Sequence, residues 1–481
     1  MKKQIYIIAF FTTLLCGCED ALDFTIKDRP TFENYFQTEN DALASINGVY
    51  DALGSTKLYN SNLWLVQDIA SDDNNARPSL NDPNLHQLNQ FNIQPDNNYI
   101  KDIWAGSYDG INRANVVLLK VPEIQMDSTL KNRILGEAKF LRSLFYFNLV
   151  RMFGDVPLVL EPNFETNNLD VERTKLNTVY GQIIADLEWA SKKLPEIYTS
   201  GNDKGRATKG ATLGLLAKIH LTRGDWSLAA KKAKEVIDLK IYDLHNDYAN
   251  NFKEAYVNGI ESVFEVQFYS GDPKEQSRIV ITSLPSIYAF PTGVEIILPT
   301  NDLFNSFDTN DYRKEVTFFE SYDYFGPNKF DPHIWKHWDQ DVYEPDETGQ
   351  SSANFPVMRY SEILLIYAEA LAQANSGPTT EAYAAVNQVR KRARNGNDTL
   401  LPDLQGLSLD DFCDALLEEK RFETVNEGHR WFDLVRTGNL IEYVKRAKGD
   451  LANPQEYNNL FPIPQREMDL NAKLKQNEGY Y

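Results

Sequence analysis

Residues Leu213–Val236 read LGLLAKIHLTRGDWSLAAKKAKEV. Small or apolar side chains at Leu213, Leu216, Ala217, Ala229, Ala233 and Val236 recur at three- and four-residue steps around Gly224-Asp225-Trp226. Such steps put one face of a helix against a neighbour. Gly admits a turn that L-residues resist, and Ala lets two helices approach closely. The stretch predicts a helical hairpin. Tyr367, Ala368, Leu371, Ala382 and Ala385 repeat the arrangement across Ser376-Gly377-Pro378.

Outward from these hairpins, helical periodicity continues. In Leu135–Met152, apolar residues at Ala138, Leu141, Leu144, Phe145, Leu149 and Met152 share a stripe, which Gly154 and Pro157 terminate. Similar patterns occupy 40–53, 103–121, 176–194, 208–222, 227–239, 360–374, 380–392 and 409–426. The paired helices resemble tetratricopeptide (TPR) units. The expected fold is mainly α: TPR-like hairpins forming a superhelical scaffold, with long irregular loops and a few short strands carrying a ligand face. Two segments supply those loops. Tyr59 to Asn98 is crowded with Asn and Asp, which satisfy their own backbone in turns. Gly259 to Phe355 mixes strand-like alternation (Ser262-Val263-Phe264-Glu265-Val266) with Pro- and aromatic-rich loops. Long loops on a helical frame are usually functional.

The chain has 481 residues, 69 acidic against 49 basic side chains and a formal charge of −20. That balance disfavours nucleic acid, whose phosphates need Lys and Arg, and adsorption to anionic lipid through a basic patch. It also makes a neutral ligand a better fit than an anionic one. Hydrophobic content of 42% with 12% aromatics supports a large core. Cysteines at 16, 18 and 413 build no disulfide framework. Cys413 falls at an apolar-periodic position and reads as a buried thiol.

Met1-Lys2-Lys3 followed by the apolar run Ile5–Leu15 suits a signal peptide. It ends in Leu15-Cys16-Gly17-Cys18, which resembles the bacterial lipobox. Residues 1–17 are then removed and Cys18 is lipidated, so that acyl chains hold the body at a membrane. Loss of Lys2 and Lys3 makes the charge two units more negative. Glu19-Asp20 resembles the acidic signal that sends some Bacteroidota lipoproteins to the cell exterior.

Several motifs in order resemble the SusD/RagB family of outer-membrane nutrient-binding lipoproteins. They are Gly136-Glu137-Ala138-Lys139-Phe140-Leu141-Arg142 with Gly154-Asp155-Val156-Pro157-Leu158, and Gly205-Arg206-Ala207-Thr208-Lys209-Gly210-Ala211. Arg359-Tyr360-Ser361-Glu362, Glu419-Lys420-Arg421-Phe422-Glu423 and Glu427-Gly428-His429-Arg430-Trp431-Phe432-Asp433-Leu434 follow, and then Phe461-Pro462-Ile463-Pro464. The resemblance covers residues 18–481 as one unit, with a TPR-rich half to about 255 and a second half from about 256. It implies a cell-surface protein that captures glycans, or less often peptides, and delivers them to a SusC-like TonB-dependent transporter. It implies no catalysis and no cofactor.

The residues agree with a binding role. Acid–base pairs in 418–436 fall three or four apart and read as helix ties. His333 and His337 stand one helical turn apart, but the general-base Glu of H-E-x-x-H is missing, so no metal is expected. A glycosidase built on Asp72 and Asp73 needs carboxylates facing each other across a bond, which adjacent residues seldom do. Saccharide sites combine an aromatic platform with carboxylates and amides. Trp104, Trp189, Trp226 and Trp431 lie in helical motifs and read as core. Trp64, Trp335 and Trp338 lie in the irregular segments. Asp68, Asp72, Asp73 and Asn74 accompany the first; Tyr288, Phe290, Tyr322, Tyr324 and Phe325 accompany the others. These are the expected glycan contacts, with ordinary loop packing the competing reading for each.

Overall fold

The structure, a computed structural model, describes residues 35–162, 170–286, 293–322, 329–344, 347, 349 and 351–480. Cys18, the 1–17 leader, Tyr288, Phe290, Tyr324 and Phe325 lie outside the described residues. Helix α1 (Glu39–Leu53) opens on a capping box between Thr38 and Asp41. Then come α2 (Asn62–Ile69), strand β1 (Asn74–Ala76), α3 (Pro83–Gln90), α4 (Asn98–Lys120), α5 (Ser128–Phe153) and α6 (Leu176–Ala190). The hairpin read first in the sequence is α7 (Lys209–Arg223) and α8 (Trp226–Asp238).

Consecutive helices pack on one another: α4 on α5, α5 on α6, and α7 on α8. Two glycines set this stacking. Gly224 has φ +75° and caps α7, its N–H donating to the carbonyls of His220 and Leu221. At Gly110 an added Cβ would lie 2.3 Å from the Phe145 ring, so α4 and α5 meet backbone to ring. Arg142 on α5 donates to Asp186 on α6 and, at 2.8 Å, to Asn115 on α4.

The second half places α9 (Tyr360–Ala374) against α8 and pairs it with α10 (Thr380–Ala393), α11 (Leu409–Glu423), α12 (Arg430–Thr437) and α13 (Leu440–Lys448) following. Short strands β2 (Ser262–Val266), β3 (Ile297–Pro299), β4 (Phe318–Phe319), β5 (His333–Ile334) and β6 (Phe355–Arg359) form antiparallel pairs β1–β3, β2–β6 and β4–β5. The mainly helical fold with a few short strands is the expected one.

Tyr59 to Asn98 departs from the irregular excursion expected of it: α2 and α3 run inside it. Two of its Asn and Asp residues work as caps. The Asp82 side chain accepts from the N–H groups of Asn84 and Leu85, and that of Asn97 from Tyr99 and Ile100. A cap-rich segment and a loop share one composition.

The charged motifs close the molecule on itself. Arg430 on α12 donates to both Asp72 oxygens at 2.8 and 2.9 Å. Arg421 on α11 reaches Asp73 at 2.7 Å and Asp72 at 3.1 Å. Glu423 and Glu427 receive Arg359, Arg392 and Lys336, while Asp433 receives Lys420 and Arg436. Buried charges are tolerable only when paired in this way. The arginines hold Asp72 and Glu427 down to about 2 although burial acts to raise them.

Candidate ligand-binding site

Strand β4 pairs Phe318 with Ile334 and Phe319 with His333 of β5. Because strand side chains alternate, the two phenylalanines part. Phe318 and Ile334 enter a small core with Leu303, Phe307 and Val425. Phe319 instead stacks on Trp335, ring centroids 4.7 Å apart and planes 6° apart. Trp335 is half-buried, and its Nε1 donates to the Glu315 carbonyl at 3.1 Å. Trp338 stands 6.5 Å from Trp335, donates Nε1 to the Tyr343 carbonyl at 2.9 Å, and has the Tyr322 ring at 5.5 Å. Phe330 meets Phe319 edge-on at 5.1 Å.

Glu295 ties this edge to the N-terminal half. It accepts from Arg77 at 2.8 Å and lies 3.1 Å from His333 Nε2. Burial works to raise its carboxyl, yet those hydrogen bonds hold it below its ordinary value. A groove of about 440 Å³ runs beside Phe319, lined by Asn310, Tyr312, Glu315, Glu320 and Arg394 among others. A second cleft of about 610 Å³ lies between Asn75–Pro78 and Asp331–Pro332. Flat aromatic surface beside carboxylates, an amide and a guanidinium is the equipment that meets apolar CH faces and hydroxyls together.

The structure thus brings Trp335, Trp338 and Tyr322 together and separates them from the first group. Trp338 is only 5% exposed, so its ring backs the platform from inside. Trp64 is fully buried against Phe355 at 6.4 Å, which corrects its expected surface position. Asp68, Asp72, Asp73 and Asn74 are likewise buried, two of them spent on the arginine ties. Burial, then the charge of Asp73, pushes the Asp68 carboxyl well above the usual range. Asp72 and Asp73 are interior because their partners arrive from α11 and α12, far away in sequence, while Asn74 pairs with Pro299 of β3. Trp104 and Trp431 are core as expected, whereas Trp189 and Trp226 are half-buried.

His333 and His337 are buried, and neither lies on a helix. His337 Nε2 lies 3.2 Å from the Asn426 carbonyl, and burial drives the ring to about 3. Cys413 is half-buried, and desolvation, then the charge of Glu369, lifts its thiol to about 11, away from reactivity. Phe319, Phe330, Tyr312 and Glu315 were absent from the sequence expectation. The Phe318-Phe319 pair ahead of the aromatic run at 322–325 was the available signal.

Two family models match complementary parts of the chain. Residues 325–480 match the SusD family, and residues 29–221 match a family described as starch-binding and associating with the outer membrane. The chain belongs to the SusD/RagB family. The SusD-like protein P2 of Formosa agariphila is 29% identical over 100% of both chains. The starch-binding protein SusD of Bacteroides thetaiotaomicron is 23% identical over 82% of this chain and 81% of its own. A solved laminarin-binding SusD-like protein superposes with a TM-score of 0.79 at 28% identity, covering 92% of this chain and 100% of that one. Within the SusD fold of this chain, Trp335 and Trp338 fall inside the matched segment 325–480, and β4 just before it.

Proposed function

We propose that this SusD/RagB protein is a non-catalytic glycan-binding lipoprotein, anchored through Cys18 on the outer face of the outer membrane. It captures a neutral oligo- or polysaccharide and delivers it to a SusC-like TonB-dependent transporter. Residues 18–481 act as one unit in this reading. The observation that carries it is the half-buried Trp335 stacked at 4.7 Å on Phe319, which itself lines a groove with carboxylate and amide walls. A ring already immobilised by stacking loses little freedom when a sugar settles on it. The laminarin-binding relative at 28% identity and the starch-binding SusD support the glycan class. Tyr322 and Trp338 shape the platform; Tyr288, Phe290 and Tyr324, outside the described residues, are proposed as further glycan contacts.

The formal charge of −20 selects against anionic chains. Calorimetry against starch, laminarin and other neutral glycans tests the reading. Binding without hydrolysis supports it; hydrolysis of the same glycans, or binding to none, overturns it. Substituting Cys18→Ala should release the protein from the membrane fraction, and retention of the variant there contradicts the anchor.

A further inference from the structure

An internal cavity of about 30 Å³ lies where α2, α5 and α7 meet β6 and the 427–429 turn. Such a volume admits one or two particles the size of water. Its wall is rich in donors left unanswered. Trp64 Nε1 and Gln67 Nε2 have no hydrogen-bond partner, in residues that are 0% and 3% exposed. Tyr59 Oη accepts from Asn148 Nδ2 at 2.8 Å, leaving its own proton to point elsewhere. His429 Nδ1 is 3.0 Å from Lys218 Nζ. Burial, then the Lys218 charge, lowers that ring to about 4, so Nδ1 accepts and Nε2 carries the proton.

Arg151 adds a positive charge to the same wall. It lies 3.9 Å from the Phe147 ring centroid and 3.5 Å from that of Phe432, and donates to Asn148 Oδ1 at 2.7 Å. It makes no ion pair among the described residues. The nearby carboxylates already hold other cations. Glu427, on the wall, accepts from Lys336 at 2.7 Å and Arg359 at 2.9 and 3.0 Å. Glu362, off the wall, holds Lys218 at 2.7 Å.

We propose that this cavity binds one halide-sized anion, chloride under ordinary conditions, which balances Arg151 and gathers the N–H groups of Trp64 and Gln67. An occupant there clasps the N-terminal helices to β6 and the 427–429 turn. An acceptor-only ligand suits the unanswered N–H groups of Trp64 and Gln67, whereas water must also place its own protons. The rival occupant is water reaching toward Glu362 Oε2, which has no partner.

Crystals of the full chain grown in bromide separate the two. The expected result is an anomalous peak in the cavity, within hydrogen-bond distance of Trp64 Nε1. Water density without anomalous signal, or bromide at surface positions alone, overturns the proposal. In solution, Tm at constant ionic strength should be higher in chloride than in gluconate. Each tenfold rise in chloride above its dissociation constant should raise the folded-to-unfolded ratio by up to about tenfold. Equal Tm in both salts overturns the proposal. Trp64→Phe removes one donor and should weaken the chloride dependence; Gln67→Leu serves if the first variant fails to fold. Full chloride dependence in the folded variant contradicts the site.

Discussion

Asp72 and Arg430 meet at 2.8 Å across 358 positions of sequence, both inside the protein. Phe319 and Trp335 meet at 4.7 Å across one short strand pair, with the indole half-buried. Both pairs come from conspicuous residues: a run of acids and amides, and a run of aromatics. The charged pair ties the two ends of the chain together; the aromatic pair presents a ring at an edge. A charge taken out of water needs a partner of opposite sign, so a buried acid is informative about the fold first. An aromatic ring needs only a neighbour on one face and can lend the other to a ligand.

Breaking the interior should cost most. Arg359→Met leaves Glu261, Glu423 and Glu427 short of their shared partner. Removing one member of a buried ion network typically costs about 3–5 kcal/mol, so urea unfolding should shift by that order or the variant should fail to accumulate. Trp64→Ala sharpens the comparison, since the residue first looked like a glycan contact. Large-to-Ala changes in a core cost about 3–5 kcal/mol. Its Tm should therefore fall steeply, while the folded fraction keeps its affinity for glycan.

Acid attacks the same region more gradually. Asp72 and Glu427 are held down to about 2, and burial-opposing cations lower Glu423 and Asp433 as well. Their unfolded values lie near 4. The unfolded chain takes up protons first as pH falls, so this stabilisation is complete above about pH 5 and disappears from about pH 4 down to about pH 2. Asp68 and Asp73, raised by burial, work in the opposite direction and soften the slope. Thermal melts between pH 6 and pH 2 should show Tm dropping below pH 4; a flat Tm down to pH 2 removes the network as a stabiliser.

The helical frame was legible because periodicity is local. Tyr360–Ala374 carries its apolar stripe within its own fifteen residues, and its bounds in the structure are those of the pattern. Asp72 and Asp73 were misplaced for the converse reason: nothing near them in sequence names Arg421 or Arg430 as partners. Trp64 sits among Asn and Asp residues whose partners come from distant segments, Asn60 donating to the Gln276 carbonyl and Asp72 and Asp73 meeting Arg430 and Arg421, so its neighbours suggested a surface that does not exist. Phe319 was missed because strand alternation decides which of two adjacent phenylalanines stacks on Trp335, and a two-residue strand leaves no readable pattern.

The smallest expected change in stability is also the most telling about function. Titration calorimetry should compare the native protein with Trp335→Ala on the neutral glycan that binds best. Loss of a stacking platform should weaken binding by about tenfold or more, roughly 1.4 kcal/mol, because aromatic contacts of this kind contribute about 0.5–1.5 kcal/mol beyond their buried area. Its Tm should remain within a few degrees of the native value. Unchanged affinity in a folded Trp335→Ala protein would contradict the account.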